Sequence, residues 1–222
     1  MTTLFNKGGF KIRKIREGLY DLEYETKNEF IFSSLNIQEE IVTKIEKSGK
    51  TNVEFRSDSV KTYPQLMAKN ENVLSYSMCE QLLLNIGSQC IALENSGFVY
   101  VDLDVSNMIT FNNGEKFIYL DDVIFEKDSK SSFVLDKLVV KSRFSSPEFL
   151  NVKSLPSRLH SNSWIYSLAA IVFYSLTQLV ETQSMREEEI REKLQSIQDT
   201  KLYFCISRMI YHNHNMRKFL FI

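Results

Sequence analysis

Asp102, Asn107 and the adjoining carboxylates Asp121 and Asp122 are the residues of this chain whose types and spacing could do chemistry. Asp102 and Asn107 stand five apart, just after the apolar run Phe98-Val99-Tyr100-Val101. The Asp pair closes a second run, Phe117-Ile118-Tyr119-Leu120. Between them Asn112-Asn113-Gly114 is a strong hairpin turn signal. Carboxylates and an amide gathered at strand ends make an oxygen-rich site suited to a hard cation such as Mg²⁺. Singly, each Asp or Asn serves equally well as a turn cap. The ordered set is what points to a site.

The elements that must position these residues can be read from periodicity. Residues 10–15, 19–25 and 29–35 read as three antiparallel strands, with turns at Glu17-Gly18 and Lys27-Asn28. Residues 36–46 predict a helix, capped by Asn36 with Glu39 three residues on and striped by Ile37, Ile41 and Ile45. Its Glu39, Glu40 and Glu46 read as a solvated face. Short strands follow at 53–55 and 61–63, Pro64 ends the second, and residues 64–74 cross to the next part of the chain. Cys79, Leu82, Leu83, Ile86, Cys90 and Leu93 hold the helical period over residues 75–94. Residues 165–180 are too apolar for a surface helix and too short to span a membrane, so they predict a buried central helix. A capping-box pattern at Ser184 opens a charged helix, and residues 202–210 form the last.

Composition sets the outer bounds. The chain has 222 residues, 43% of them hydrophobic, enough for one large domain or two small lobes around a sizeable core. Lys plus Arg number 27 against 28 Asp plus Glu, a balance that argues against nucleic acid as partner. Cys79, Cys90 and Cys205 lack metal-site spacing and read as free buried thiols in a reducing compartment. His212 and His214 have no third ligand nearby. No apolar run approaches 18 residues and no signal-peptide core opens the chain, which predicts no membrane association and a soluble, cytoplasmic protein.

The series Tyr100-Val101-Asp102-Leu103-Asp104-Val105-Ser106-Asn107, a β-hairpin, Asp122-Val123-Ile124, Ser146-Pro147-Glu148, the apolar run from Tyr166 and a late Arg217 resembles, in order, the protein kinases. The resemblance runs over roughly residues 76–222. It implies an α+β, two-lobed kinase-like fold in a single domain, 1–222, with a small β-rich N-lobe over about 1–68 carrying one helix. A mainly helical C-lobe covers about 69–222. Asp102 then stands as the catalytic-loop Asp, and Asn107 and Asp122 as the metal-site residues. Asp121 is the other option for the last; inward alternation of Ile118 and Leu120 favours Asp122. Gly18 takes the place of the Gly-rich loop, Ser33 that of the strand-three Lys, and Glu148 pairs with Arg217. ATP and Mg²⁺ are the cofactors the resemblance implies.

Several positions depart from the family. Ser33 cannot replace an ammonium facing phosphate, Val101 stands where an Arg would receive a phosphate, and Trp164 stands where an Asp would orient the loop. Asp104 replaces a Lys that stabilises transferred charge, and a carboxylate there repels phosphate. The chain therefore reads as a pseudokinase with impaired phosphoryl transfer that acts by binding a protein partner, as scaffold, allosteric partner or decoy. The alternatives are an active divergent Ser/Thr kinase, drawing a lysine from Lys11, Lys14 or Lys27, and an unrelated α/β interaction domain.

Overall fold

Alternation of apolar and polar residues builds the first sheet. Thr2–Lys7 (β1), Phe10–Arg16 (β2) and Leu19–Glu25 (β3) form two successive hairpins that turn Phe10, Ile12, Tyr20, Leu22 and Tyr24 inward. The structure, a computed structural model, describes residues 1–180 and 182–220. A short helix, Glu29–Ser33 (α1), leads to Ile41–Lys47 (β4) and Lys50–Arg56 (β5). These complete a five-stranded antiparallel sheet of order β1-β2-β3-β5-β4.

Two expectations are corrected here. Residues 29–35 are not a strand. Phe30-Ile31-Phe32 has no alternation, and the run coils so that Ile31, Phe32 and Leu35 are buried together, Phe32 stacking on Tyr24. The strand before β2 is instead β1. Residues 36–46 are not a helix either. The Ile37/Ile41/Ile45 stripe fits a helical period, but Ile45 is 61% exposed, and the β-branched run Ile41-Val42-Thr43 pairs along β5. Glu40, expected on a solvated face, forms an ion pair with Lys116.

The second part of the chain carries the longer helices and seven short strands. Val60–Thr62 (β6) runs directly into Tyr63–Lys69 (α2), where a crossing segment was expected. Pro64 sits in the first turn, where its missing N–H costs nothing, and Thr62 and Gln65 close a capping box. Tyr76–Asn95 (α3) has the predicted extent, with Ser75 accepting the Met78 N–H at 3.2 Å. Phe98–Val99 (β7) precedes the hairpin of Met108–Phe111 (β8) and Lys116–Tyr119 (β9), which turns at the predicted Asn112-Asn113-Gly114 and adds β6 to make three strands. Phe125–Glu126 (β10) pairs with β7. Ser132–Leu135 (β11) pairs, across the short helix Pro147–Leu150 (α4), with Ser157–His160 (β12). Ser163–Thr177 (α5) is the buried central helix, with twelve of its fifteen residues in the core. Glu187–Lys193 (α6) begins at an Arg186–Glu189 capping box instead of at Ser184, and Lys201–Met209 (α7) follows. The chain is thus a mixed α/β protein with antiparallel sheets.

One apolar cluster runs from Phe5 in β1 through α3 and α5 to Ile210. A smaller one gathers Val99, Val101, Phe125, Phe133, Leu135, Phe149 and Leu159. The end of the described chain also docks on this core. The Phe219 ring lies against Trp164 and over Gly87 of α3, where an added Cβ would stand 2.1 Å from a ring carbon. Alanine in a helix gains about 1 kcal/mol over glycine, while overpacking costs about 1–3 kcal/mol. Gly87→Ala is therefore expected to destabilise by about 1 kcal/mol. In a Phe219→Ala background the same change is expected to stabilise by about as much. Equal effects of Gly87→Ala in the two backgrounds, read by denaturant unfolding, would show that Phe219 does not dock there.

Candidate functional site

Asp102 follows β7, whose neighbours Val99, Tyr100 and Val101 are buried. Tyr100 packs edge-on against Tyr119, with ring centroids 4.9 Å apart. Both Asp102 oxygens are committed. Oδ1 accepts from the Leu103 N–H (3.0 Å) and the Ser167 hydroxyl (2.7 Å). Oδ2 accepts from the Ser142 N–H (2.9 Å) and the Ser145 hydroxyl (2.5 Å). A carboxylate offers about four lone-pair sites, and here four donors fill them. Burial raises the Asp102 carboxyl above the usual range, and the bonds from Ser145, Ser142 and Ser167 pull against it. The residue ties its loop to the 142–145 segment and to α5.

Asn107 ends a short 3₁₀ turn whose cap, Asp104, accepts the Ser106 N–H at 2.7 Å. Its amide nitrogen donates to Asp121 Oδ2 at 2.6 Å, and the Tyr119 hydroxyl donates to the same oxygen at 3.2 Å. Asp121 Oδ1 accepts from the Val123 N–H. Of the two adjoining carboxylates it is thus Asp121 that meets Asn107. Asp122, the residue that alternation selected, is exposed. The strand pattern ends at Tyr119, so inward alternation does not carry on to residue 122. Burial raises the Asp121 carboxyl, with Asp122 adding to the rise and the hydrogen bonds opposing it. Asn107 itself is buried and its Oδ1 has no hydrogen-bond partner among the described residues. Helix α3 holds this hairpin in register. The Gln89 amide bonds both the N–H and the carbonyl of Tyr119 (2.9 and 2.7 Å), and Asn85 accepts the Phe117 N–H at 2.9 Å.

Asp102, Asp104, Asn107, Asp121 and Asp122 line one cleft of about 440 Å³, together with Lys7, Gly8 and the 138–140 segment. Lys7 donates to the Ser106 hydroxyl. The turn between β1 and β2 lies directly on the acidic end of the cleft. A Cβ on Gly8 (φ +58°) would stand 2.8 Å from the Leu120 carbonyl, and one on Gly9 (φ +73°) 2.8 Å from Asp122 Oδ2. Only glycine accepts both the backbone conformation and the approach.

Gly18 and Ser33 fall elsewhere. Gly18 forms the β2–β3 turn and lies outside the cleft lining. Ser33 is in α1, exposed, with its hydroxyl donating back to the Glu29 carbonyl at 2.9 Å. The strand that does stand third in the sheet carries Asp21, which is engaged by Arg13 at 2.6 Å. Lys14 and Lys27 are held by Glu17 and Glu25, and Lys11 stands opposite Glu23 in the β2–β3 register.

Glu148 and Arg217 meet as expected. The guanidinium grips both carboxylate oxygens, at 2.6 and 2.8 Å, and donates to the carbonyls of Tyr211 and His212. Burial raises the Glu148 carboxyl and Arg217 more than offsets it, leaving it below the usual range. The thiols are inert by contrast, since burial pushes Cys79 up to about 12 and Cys205 to about 11. Among the described residues no His, Cys, Asp and Glu side chains cluster as a metal site, and no helix is long and apolar enough to cross a membrane. Sequence reasoning missed Ser142, Ser145, Ser167, Asn85 and Gln89, which carry no motif. It singled out Gly18, whereas the glycine turn that lies against the cleft is Gly8-Gly9. Compared with known proteins, the chain matches no protein-family model and no curated protein.

Proposed function

We propose that this chain is a kinase-like protein of impaired phosphoryl transfer that acts by binding a protein partner, as scaffold, allosteric partner or decoy. The observation that carries this reading is the saturation of Asp102: four donors occupy its oxygens, so none is left to take a proton from a substrate hydroxyl. The two-lobed reading draws support from the antiparallel sheet of the first 56 residues, the longer helices of the remainder and the Glu148–Arg217 bridge. The cleft between Gly8 and the 101–123 segment fits the same reading.

The two implied cofactors fare differently against these residues. The Asn107 Oδ1, buried beside the Asp121 carboxylate without a partner among the described residues, suits a hard cation such as Mg²⁺, which would neutralise charge at that end of the cleft. A polyphosphate does not suit the site. Four carboxylates face one ammonium, Lys7, and the β1–β2 turn fills the space over Asp121 and Asp122. Thermal unfolding with ATP, with and without Mg²⁺ or Mn²⁺, is therefore expected to show no nucleotide-dependent rise. A ligand at about 100 times its Kd adds about 2.7 kcal/mol. A metal-dependent rise of that size, lost in Asp121→Ala, would overturn the reading in favour of an active divergent kinase.

A further inference from the structure

Asp136-Lys137-Leu138-Val139-Val140-Lys141 lies between β11 and α4 without helix or strand, and its residues 138–140 also line the acidic cleft. Leu138 is 93% exposed and Val140 91%, unusual for adjoining aliphatic residues in a chain with so large a core. Beside them lies an open groove of about 450 Å³. Leu135, Val139, Phe149, Val152 and Leu155 form its apolar wall, continuous with the smaller core cluster. Lys141 fixes the groove's shape by donating to the carbonyls of Leu150 (2.8 Å) and Val152 (3.1 Å).

Two further features say what would fill it. Lys137, Lys141 and Lys153 line the groove and no carboxylate does. Among the described residues none of the three is in an ion pair, so three positive charges stand unneutralised in a chain of net charge −1. Residues 137–140 also make no backbone–backbone hydrogen bond among the described residues, which leaves their main-chain donors and acceptors without backbone partners. An extended partner strand can pair with such a segment, gaining affinity from main-chain bonds and selectivity from alternate side chains.

We propose that this groove is a docking site for an extended, acidic–aliphatic peptide segment of a partner protein. The aliphatic side chains seat on Leu135, Val139 and Phe149, the acidic ones face Lys137 and Lys153, and the main chain pairs along residues 137–140. The proposal rests on the reading of the chain as a binding protein; its groove adjoins the acidic cleft across Leu138 and Val139, and its lysines lie on the groove side.

The test is fluorescence anisotropy of the full chain with a labelled octapeptide alternating leucine and glutamate, against a counterpart with lysine for glutamate. The acidic peptide is expected to bind saturably and the basic one not to bind. Lys137→Glu/Lys153→Glu is expected to weaken the acidic peptide roughly tenfold or more, and Leu138→Ser, which removes an apolar residue from the groove lining, to weaken it by a similar factor. All three positions are exposed, so unchanged unfolding midpoints check the fold. Equal binding of both peptides would mean apolar adhesion only. No binding of the acidic peptide up to about 1 mM, or a dimer in sedimentation that Leu138→Ser dissociates, would likewise overturn the proposal. Peptide binding alongside a nucleotide-dependent stabilisation leaves the groove standing and overturns only the impaired-kinase reading. Absence of both overturns the groove alone.

Discussion

Arg217→Met is expected to lower the unfolding free energy by about 3–5 kcal/mol, the cost of breaking a buried pair from one side. The Arg217 side chain is fully buried, and its guanidinium lies over the Tyr166 ring while it grips Glu148. Methionine fills much of the volume but leaves Glu148 with no cation, only its own backbone N–H and the Ser163 hydroxyl at 3.0 Å. Arg217→Lys keeps the charge and loses the fork, so it is expected to fall between. The double variant Glu148→Gln/Arg217→Met removes both charges and is expected to recover part of the loss.

The pH dependence of this pair has a definite sign. The Glu148 carboxyl is held low, with burial raising it and Arg217 overriding that rise. A carboxyl depressed in the folded state contributes stability above its unfolded pKa and loses it as pH falls through the folded value. Arg217→Met leaves burial opposed only by the hydrogen bonds from Ser163 and the Glu148 N–H, so the carboxyl is expected to rise and that contribution to reverse: stability from this residue then grows as pH falls. Denaturant melts of the variant between neutral and mildly acidic pH should therefore show a smaller deficit at the acidic end. A deficit independent of pH would mean that Glu148 is solvated in the variant.

The second large effect is at Asp102. Asp102→Ala leaves the Leu103 and Ser142 N–H groups and the Ser145 and Ser167 hydroxyls without their acceptor. Each buried donor left unmade costs about 1–3 kcal/mol, and with partial rescue by water the expected total is about 3–5 kcal/mol. Asp102→Asn keeps one oxygen and lets a serine hydroxyl turn to accept, so a loss of about 1–2 kcal/mol is expected. A residue serving only as a catalytic base would behave oppositely, because removing a buried charge relieves its desolvation. The pH signature also separates the roles. Burial raises the Asp102 carboxyl, so its ionised form is penalised in the folded state and the penalty is relieved as pH falls through the folded value. The Asn variant lacks that relief. Full stability of Asp102→Ala in denaturant melts would remove the tether and reopen a catalytic role.

Local periodicity, or one strong turn, made part of this fold legible from the residues alone. The β2 and β3 alternation, the 3.6-residue period of α3, the Asn112-Asn113-Gly114 hairpin and the all-round apolar character of α5 needed no partner to be legible. Tertiary structure decided the ambiguous runs. Phe30-Ile31-Phe32 suits either a strand or a helix until Tyr24 offers a stacking face, and Ile41–Lys47 suits a helix until β5 offers hydrogen bonds.

The site divides the same way. Asp102, Asn107 and the Asp pair were legible as an ordered set. That Asp121 and not Asp122 meets Asn107 followed only from where β9 stops and how Gln89 and Asn85 of α3 hold it. The serines that saturate Asp102 come from up to 65 residues away, and serine spacing in sequence carries no period to betray them. That the Gly8-Gly9 turn rests on Asp121 and Asp122 depends on how the first sheet packs on the rest, which no local pattern encodes.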